Sequence, residues 1–425
     1  MSFAFTNVRI SVKLAVSCLV FALPIAVLTF FTVRGLDKDI DFARREMRGN
    51  DALRPMVRLL ESLPEGPAGK AQAARAFSDL GVFMAKDGEA LQFTPADLAK
   101  RGRDALAPAK VESRWRSQGD SPAPEALDAL MADVRGMIAH VGDTSNLILD
   151  PDLDSYYLMD AVLLALPQTL DRTAKALRDA MPMTGGNDLS LAERSTLSVH
   201  AAMLKEADLE RIRASIDTAL KEDEAFYGRS ESLQAVLPAK AQAYYKAAEE
   251  LIKTFERMAK GGKLRKEDLA KAGAQARKAG FELWEATSTE LDKLLEKRTE
   301  HYRERKLWAL GLSMGAVAVA CFGVFLIARG IVTQLSGIRA YARRVAAGDL
   351  ESPPFAGCQG ELAELSSDIQ SMVTELRKRL GYTQGLQNAF KVPLLVADAE
   401  GLVTYTNQEL LDFIEVEGSP QDWFG

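Results

Sequence analysis

Two uncharged apolar runs limit what this chain can become more than anything else in it. The first, LAVSCLVFALPIAVLTFFTV, covers twenty residues from Leu14 to Val33, with Arg9 and Lys13 before it and Arg34 after it. The second, LWALGLSMGAVAVACFGVFLIA, covers twenty-two from Leu307 to Ala328, with Tyr302 and Trp308 where an aromatic belt belongs. About twenty apolar residues suffice for a helix to cross a bilayer, so each run is long enough. A cleaved leader has a shorter apolar core and a small-residue cleavage site, whereas Phe30, Phe31 and Arg34 close the first run. It reads as an uncleaved anchor, with Pro24 a tolerated kink.

Between the runs, residues 34–306 carry helical periodicity. Apolar residues recur at three and four in Leu130, Val134, Ile138 and Val141, and again in Leu291, Leu294 and Leu295. Breaks fall at LPEGP (63–67), QGDSPAP (118–124), DP (150–151), MPMTGGND (181–188), LP (237–238) and GG (261–262), giving six to eight helices. An up-and-down four-helix bundle needs about half this length, so one long bundle or two stacked bundles are expected. The three cysteines, Cys18, Cys321 and Cys358, all lie outside the region, so core packing rather than a disulfide must hold it. A net charge of -6 without an unanswered Lys/Arg cluster excludes a nucleic-acid partner. Lys293, Lys297, Arg298, Arg303, Arg305 and Lys306 alternate with Asp292, Glu296, Glu300 and Glu304, as on a solvated helix face.

One stretch of this region stands apart. DTSNLILDPDLDSYYLMD, residues 143–160, sets five aspartates and two adjacent tyrosines around a single proline, and residues 117–171 hold ten acids against one base, Arg135. A calcium loop would use Asp150, Asp152 and Asp154, but its sixth and twelfth positions require Gly and Glu and hold Ser155 and Ala161. No metal site is expected. A helix start accounts for DPDLD, with Asp150 as N-cap, Pro151 in the first turn, and Asp152 and Asp154 at the positive end of the helix dipole. It leaves SYYLMD unexplained, since Tyr156 and Tyr157 point about 100° apart on a helix. A helix N-terminus beside those tyrosines and Asn146 could recognise a small polar ligand, the surplus carboxylates favouring a cationic group. Core architecture and ligand contact through Asn146, Asp150, Asp154, Tyr156 and Tyr157 both stay open.

His140, His200 and His301 lie on three separate helices without a partner at metal spacing and read as surface or packed residues. In the second run Gly311, Gly315 and Ala318 share one face, and small residues permit close helix approach in lipid. Packing on the first run and packing across a dimer suit that face equally.

After the second run, Ile331, Leu335, Ile338, Ala342 and Val345 follow 4,3,4,3 spacing, and Leu362, Leu365, Ile369, Met372 and Leu376 follow 3,4,3,4. Both are coiled-coil seams. The connector GDLESPPFAGCQGE joins them. This arrangement resembles the HAMP linker, a parallel four-helix dimer module. Gly348, Asp349 and Leu350 match its GDL turn and Glu361 the acid that opens its second helix, while Gln334 stands where the first helix usually has proline. The resemblance implies that residues 329–380 are cytoplasmic and residues 34–306 lie outside. Leu394 to Ala397 and Leu402 to Tyr405 then read as short strands around DAEG, with Asn407 capping a helix. Asp398, Gly401 and Asn407 resemble the first hairpin and helix start of a PAS domain, whose remainder would follow residue 425.

The string TSNLILDPDLDSYYLMD with Leu166 and Pro167 after it, and the tail ELDKLLEKRTEHYRERK, resemble the helical extracytoplasmic domains of bacterial chemoreceptors and sensor histidine kinases. The expected architecture is mainly α. A cytoplasmic N-terminus (1–13) leads into transmembrane helix one (14–33), a periplasmic helical sensor domain (34–306) and transmembrane helix two (307–328). HAMP (329–380) and a partial PAS domain (381–425) follow. What these resemblances imply is a homodimeric inner-membrane receptor of the chemotaxis type, sensing a small periplasmic ligand or a binding protein. It would reach a chemotaxis kinase and adaptor only through a region beyond residue 425. The alternative is the sensory front end of a membrane histidine kinase or diguanylate cyclase. No catalytic module or cofactor is expected, because no histidine follows His301 and no nucleotide-binding glycine motif occurs. A helical adhesin or scaffold leaves the HAMP pattern unexplained.

Overall fold

The computed structural model describes residues 8–119, 123–185, 188–389 and 391–419. The start of the N-terminal segment, parts of the QGDSPAP and MPMTGGND breaks, and the end of the PAS-like segment lie outside the described residues. The chain divides into two compact units, Thr29–Gly311 and the combination of Met1–Leu28 with Leu312–Gly425.

The described residues of Thr29–Gly311 form helices joined by turns and loops, without a strand. In chain order the helices are α1 (Ile10–Ser62), α2 (Lys70–Asp87), α3 (Pro95–Lys100), α4 (Pro108–Ser117), α5 (Pro124–Thr144), α6 (Leu153–Met159) and α7 (Leu166–Ala180). They continue with α8 (Leu191–Ala202), α9 (Glu210–Glu222), α10 (Glu231–Ala259) and α11 (Lys266–Ala346). Local chemistry sets the starts. Proline opens α3, α4 and α5, where the missing N–H has no intrahelical partner to lose. Ser190 and Glu193 form a capping box on α8, and the Ser230 hydroxyl accepts from the Leu233 N–H at the head of α10. One expected break is absent. Pro238 lies inside α10, which gives up the single bond owed to the Gln234 carbonyl and continues, because Leu233, Leu237, Ala241 and Tyr244 anchor it in the core.

Two helices widen rather than break. A π-helical segment, Asp160–Ala165, joins α6 to α7, and another, Met203–Leu209, joins α8 to α9. The first has a local cause. Pro167 has no N–H for the Val162 carbonyl five residues earlier, and its ring crowds the carbonyl of Leu163 in a regular α turn. The freed Val162 carbonyl accepts instead from the buried Trp284 indole of α11, at 2.9 Å. One contiguous core unites the domain and includes Leu130, Val134, Ile138, Val141, Leu291, Leu294 and Leu295.

The apolar stretches of α1 and α11, most of which lie in the other unit, have mean hydropathies of 2.5 and 2.3, and neither stretch is buried. Cys18 and Cys321 face each other there, sulfur to sulfur at 3.6 Å. After α11 come α12 (Glu361–Ala389), a two-stranded antiparallel hairpin of β1 (Leu395–Ala397) and β2 (Val403–Thr406), and α13 (Gln408–Phe413). Leu395 pairs with Thr406 and Val396 with Tyr405, and an irregularity follows before Ala397 meets Val403. The Asp398 carboxylate accepts from the N–H groups of Glu400 and Leu402, and Gly401 takes a φ of 82°, which closes the turn. Asn407 caps α13 through the Leu410 N–H.

Candidate functional site

The 143–160 stretch folds around a single arginine. α5 ends at Thr144, and Asn146 turns the chain with a left-handed φ of 67°, a conformation its short polar side chain tolerates. A single 3₁₀ turn, Leu147–Leu149, leads to Asp150. Asp150 is not the helix cap expected of it, and Pro151 lies ahead of the helix. α6 begins at Leu153, with Asp152 in the cap position making no side-chain cap bond. The Asp150 carboxylate is engaged elsewhere: its Oδ1 accepts from the Asp152 N–H at 3.1 Å, the Ser155 hydroxyl at 2.9 Å and Arg298 Nη2 at 2.6 Å.

Arg298 comes from α11. It is 2% exposed, which overturns the solvated basic face expected of residues 293–306 at this position. Its Nη1 donates to Glu46 Oε2 of α1 at 2.9 Å, its Nη2 also donates to the Ser155 hydroxyl at 2.5 Å, and its Nε lies 2.6 Å from Asp152 Oδ2. That last contact is an ion pair without hydrogen-bond alignment. Asp154, 3% exposed, turns its carboxylate back onto the Ser155 N–H at 2.7 Å.

Three carboxyl groups thus contact one guanidinium and a fourth, Asp154, lies close by, all of them in buried residues. Burial, with Asp150 and Asp152 nearby, pushes the Glu46 carboxyl up to about 9. Burial raises Asp154 to about 6, and raises Asp150 against the pull of Arg298. Arg298 is held above its ordinary value although burial works against its charge, because Asp150, Glu46 and Asp152 together outweigh it. At the rim, Tyr227 lies with its hydroxyl 3.4 Å from that of Tyr302 and its ring 5.1 Å from that of His301. Burial, the Tyr302 contact and the charge of Asp152 all raise the Tyr227 hydroxyl.

The two tyrosines of the motif form an edge-to-face pair, with ring centroids 5.4 Å apart. Tyr157 packs against the core, whereas Tyr156 faces solvent beside exposed Leu149 and Leu153. The widened turns are latched reciprocally. Asp160, in the first, pairs with Arg211 of α9 at 2.5 Å and accepts from Ser215; Asp208, in the second, pairs with Arg172 of α7 at 2.5 Å. Of the other histidines, His140 is fully buried and His200 bonds Asp179 at 3.1 Å.

The clasp belongs to a polar ladder between α1 and α11. Asp37 meets Lys306 at 2.5 Å, Asn50 donates to the Ser288 carbonyl at 2.8 Å and to Asp292 at 2.7 Å, Arg54 meets Asp292 at 2.5 Å, and Arg277 donates to the Glu61 carbonyl at 2.6 Å. Sequence reasoning missed Glu46, Asn50 and Arg298. The available signal was the stripe Trp284, Ser288, Leu291, Leu295, Arg298, spaced 4,3,4,3 and buried throughout, which puts Arg298 on the core face.

In the other unit the α11 terminus is a Schellman cap. Gly348, with a φ of 93°, donates its N–H to the Val345 carbonyl, and the Asp349 N–H reaches back to the Arg344 carbonyl. The Asp349 carboxylate accepts from the hydroxyl and N–H of Ser352, which holds it below the usual carboxylate range. Leu350 is half-buried, and Glu361 is the first residue of α12. Gln334 accepts from the Gln359 N–H at 3.1 Å, so the residue standing in for proline ties down the connector. Ile338, Tyr341 and Val373 are buried, while Leu365, Met372 and Leu376 remain exposed. A Cβ added at Gly311 or Gly315 would meet nothing within 4 Å, and Ala318 is exposed.

Residues 326–378 match the HAMP domain. The match takes in the end of α11, the connector and the first part of α12. A HAMP domain relays signals in sensory transmembrane proteins, and two uncovered apolar helices are what such a protein requires. No solved structure matches the chain.

Proposed function

We propose that the chain is a homodimeric signal transducer of the chemotaxis type in a bacterial inner membrane. Its outer domain, residues 34–306, senses a small periplasmic ligand or a binding protein. The observation that carries this reading is α11, a single uninterrupted helix of 81 residues that holds Arg298, the second apolar run and the first HAMP helix. A change in how Arg298 is held falls on the same helix that continues into the second apolar run, and a two-state relay needs a shared element of this kind. Of the five motif residues, Tyr156 offers its ring to solvent and Asn146 and Tyr157 are half-buried, so a ligand reaches these three. Asp150 and Asp154 act through the clasp. The small face of Gly311, Gly315 and Ala318 and the uncovered HAMP residues are assigned to the second copy. The hairpin with α13 is read as the start of a PAS domain, and an output module would follow it.

The full-length protein, reconstituted in vesicles with a chemotaxis kinase and its adaptor, is expected to change the phosphorylation rate of that kinase when a ligand found by thermal-shift screening is added. Autophosphorylation of the receptor itself, or synthesis of a cyclic dinucleotide, would overturn the chemotaxis assignment in favour of a kinase or cyclase front end.

A further inference from the structure

The clasp poses a charge problem. Fully ionised, Glu46, Asp150, Asp152 and Asp154 leave three negative charges unanswered by Arg298, in a site where all five residues are buried. Stripping a carboxylate of water costs several kcal/mol even after the protein relaxes. Relief requires a bound cation or a bound proton. Among the described residues no group of acids or histidines is arranged to hold a metal ion. Three buried oxygens in the cluster, Glu46 Oε1, Asp150 Oδ2 and Asp152 Oδ2, have no hydrogen-bond partner, the last facing Arg298 Nε as an ion pair alone. What they lack is a donor, and a protonated carboxyl brings one of its own.

The donors are shared unequally. Asp150 receives the Asp152 N–H, the Ser155 hydroxyl and Arg298 Nη2, all of which favour its ionised form. Glu46 is 0% exposed and receives Arg298 Nη1. The facing groups come from every neighbouring element: Asp150 and Asp152 from the loop, Asp154 and Ser155 from α6, Tyr227 from the segment before α10, and Arg298, His301 and Tyr302 from α11. Asp152, whose side chain is 12% exposed, gives solvent protons a way in.

We propose that Glu46 is a proton-binding site of the outer domain, and that loading or unloading it sets how firmly Arg298 clasps α1 to α11. With the proton on, Asp150 and Asp152 answer Arg298 while Glu46 accepts one hydrogen bond as a neutral group. With the proton released to water, Glu46 and Asp150 become like charges on one guanidinium, and the clasp loosens. The upward displacement of Glu46 fixes the sign: the clasp is strongest in acid and weakens as pH rises toward about 9. The loosening falls on the two helices that carry the apolar runs. That consequence rests on reading α11 as the signalling helix, whereas the proton site does not.

The test uses the full chain in lipid nanodiscs. Hydrogen exchange of the α11 amides around Arg298, corrected for intrinsic chemistry, reports opening of the clasp. Linkage to one proton raises the opening constant up to about tenfold per pH unit. At least a tenfold rise between pH 6 and pH 8 is expected in the wild type, and a residual rise of no more than about twofold, from Asp154, in Glu46→Gln, which keeps the shape and the acceptor for Arg298. Equal slopes in the two proteins would overturn the proposal. Should Glu46→Gln fail to fold, infrared spectroscopy of the wild type decides. A protonated-carboxyl band that persists at pH 7.5 and disappears above pH 9 supports the site, and its absence at pH 7.5 sinks it. Neither readout involves an output kinase, so the proton site and the chemotaxis assignment fail separately.

Discussion

Arg298 and Met372 invert the usual burial of charged and apolar side chains. Arg298 is 2% exposed and bonded to groups from α1, α6 and the loop between α5 and α6, whereas Met372, on α12, is 56% exposed, and Leu365 and Leu376 are exposed as well. The helical domain makes its core, and its pairing of Arg298 with Glu46, Asp150 and Asp152, within one chain. The HAMP segment leaves part of each seam uncovered, although the 3,4 spacing that makes a seam is present in full. One region is specified by polar contacts made within the chain, and the other presents an apolar surface that the second copy of the proposed homodimer would cover. In the proposed homodimer, a signal arising in the first would be read in the second as a change in packing between copies.

The harshest way to break the comparison is Arg298→Met. Removing the arginine strands buried carboxylates, and breaking such a pair from one side costs about 3–5 kcal/mol. A large fall in the melting temperature of the outer domain is expected, followed by the fluorescence of Trp115 and Trp284. Adding Asp150→Asn and Asp152→Asn to the same protein should recover much of the loss, because the stranded charges go with the arginine. If Arg298→Met alone melts like the wild type, the cluster holds nothing together.

Met372→Asp attacks the other region. An apolar side chain of this size contributes about 1.5–3 kcal/mol when covered, so dimerisation should weaken roughly tenfold to a hundredfold in an analytical centrifuge. The outer domain should melt within about 0.5 kcal/mol of the wild type, as for a surface change. Equal damage to both properties would erase the distinction between the regions.

Asn50→Ala is smaller and tests whether the ladder matters beyond the clasp. It leaves the Ser288 carbonyl and an oxygen of Asp292 without their donor, a loss of about 1–3 kcal/mol in denaturant titrations. Acid titration separates a second polar contact. Arg103 can only donate and the Gln92 carbonyl can only accept, so His140 is neutral, with Nδ1 bare and Nε2 protonated, and burial lowers its pKa. A base depressed in this way takes stability away as pH falls below about 6.5, the opposite sense to Glu46. His140→Gln should flatten the acid limb of the stability profile and leave the alkaline limb in place, by at most about 1.4 kcal/mol per pH unit.

The two regions were unequally legible in the sequence. The apolar runs, the heptads and the GDL connector are local patterns, each readable within a few dozen residues, and the HAMP match falls on them. The clasp is not local. Glu46, Asp150 and Arg298 lie more than a hundred residues apart pairwise, and nothing in the spacing of one points to the others. What the sequence did display was half of the pair, an acidic stretch without a base, and the missing half was hidden among alternating charges that look solvated. Position on the stripe of Leu291 and Leu295, rather than charge, identifies Arg298 as buried. Pro238 failed as a break for a related reason, since core contacts on both sides of it outweigh one lost hydrogen bond.

The apolar stretches of α1 and α11 each carry one cysteine, and these two report whether the stretches meet within one chain or between copies. Cys18 and Cys321 approach to 3.6 Å within one chain, close enough for a disulfide after a small adjustment. With Cys358→Ser to silence the connector thiol, a mild membrane-permeant oxidant should yield a cross-link inside a single chain, seen as faster migration on a non-reducing gel without a dimer band. The effect on stability should be the smallest of all, because the outer domain makes its own contacts and its melting should not move. Monomeric product groups these helices with the clasp, as elements completed within one chain. Dimeric product groups them with Met372 and Leu376, and the boundary between self-sufficient and shared packing then lies at the outer face of the membrane rather than at the HAMP connector.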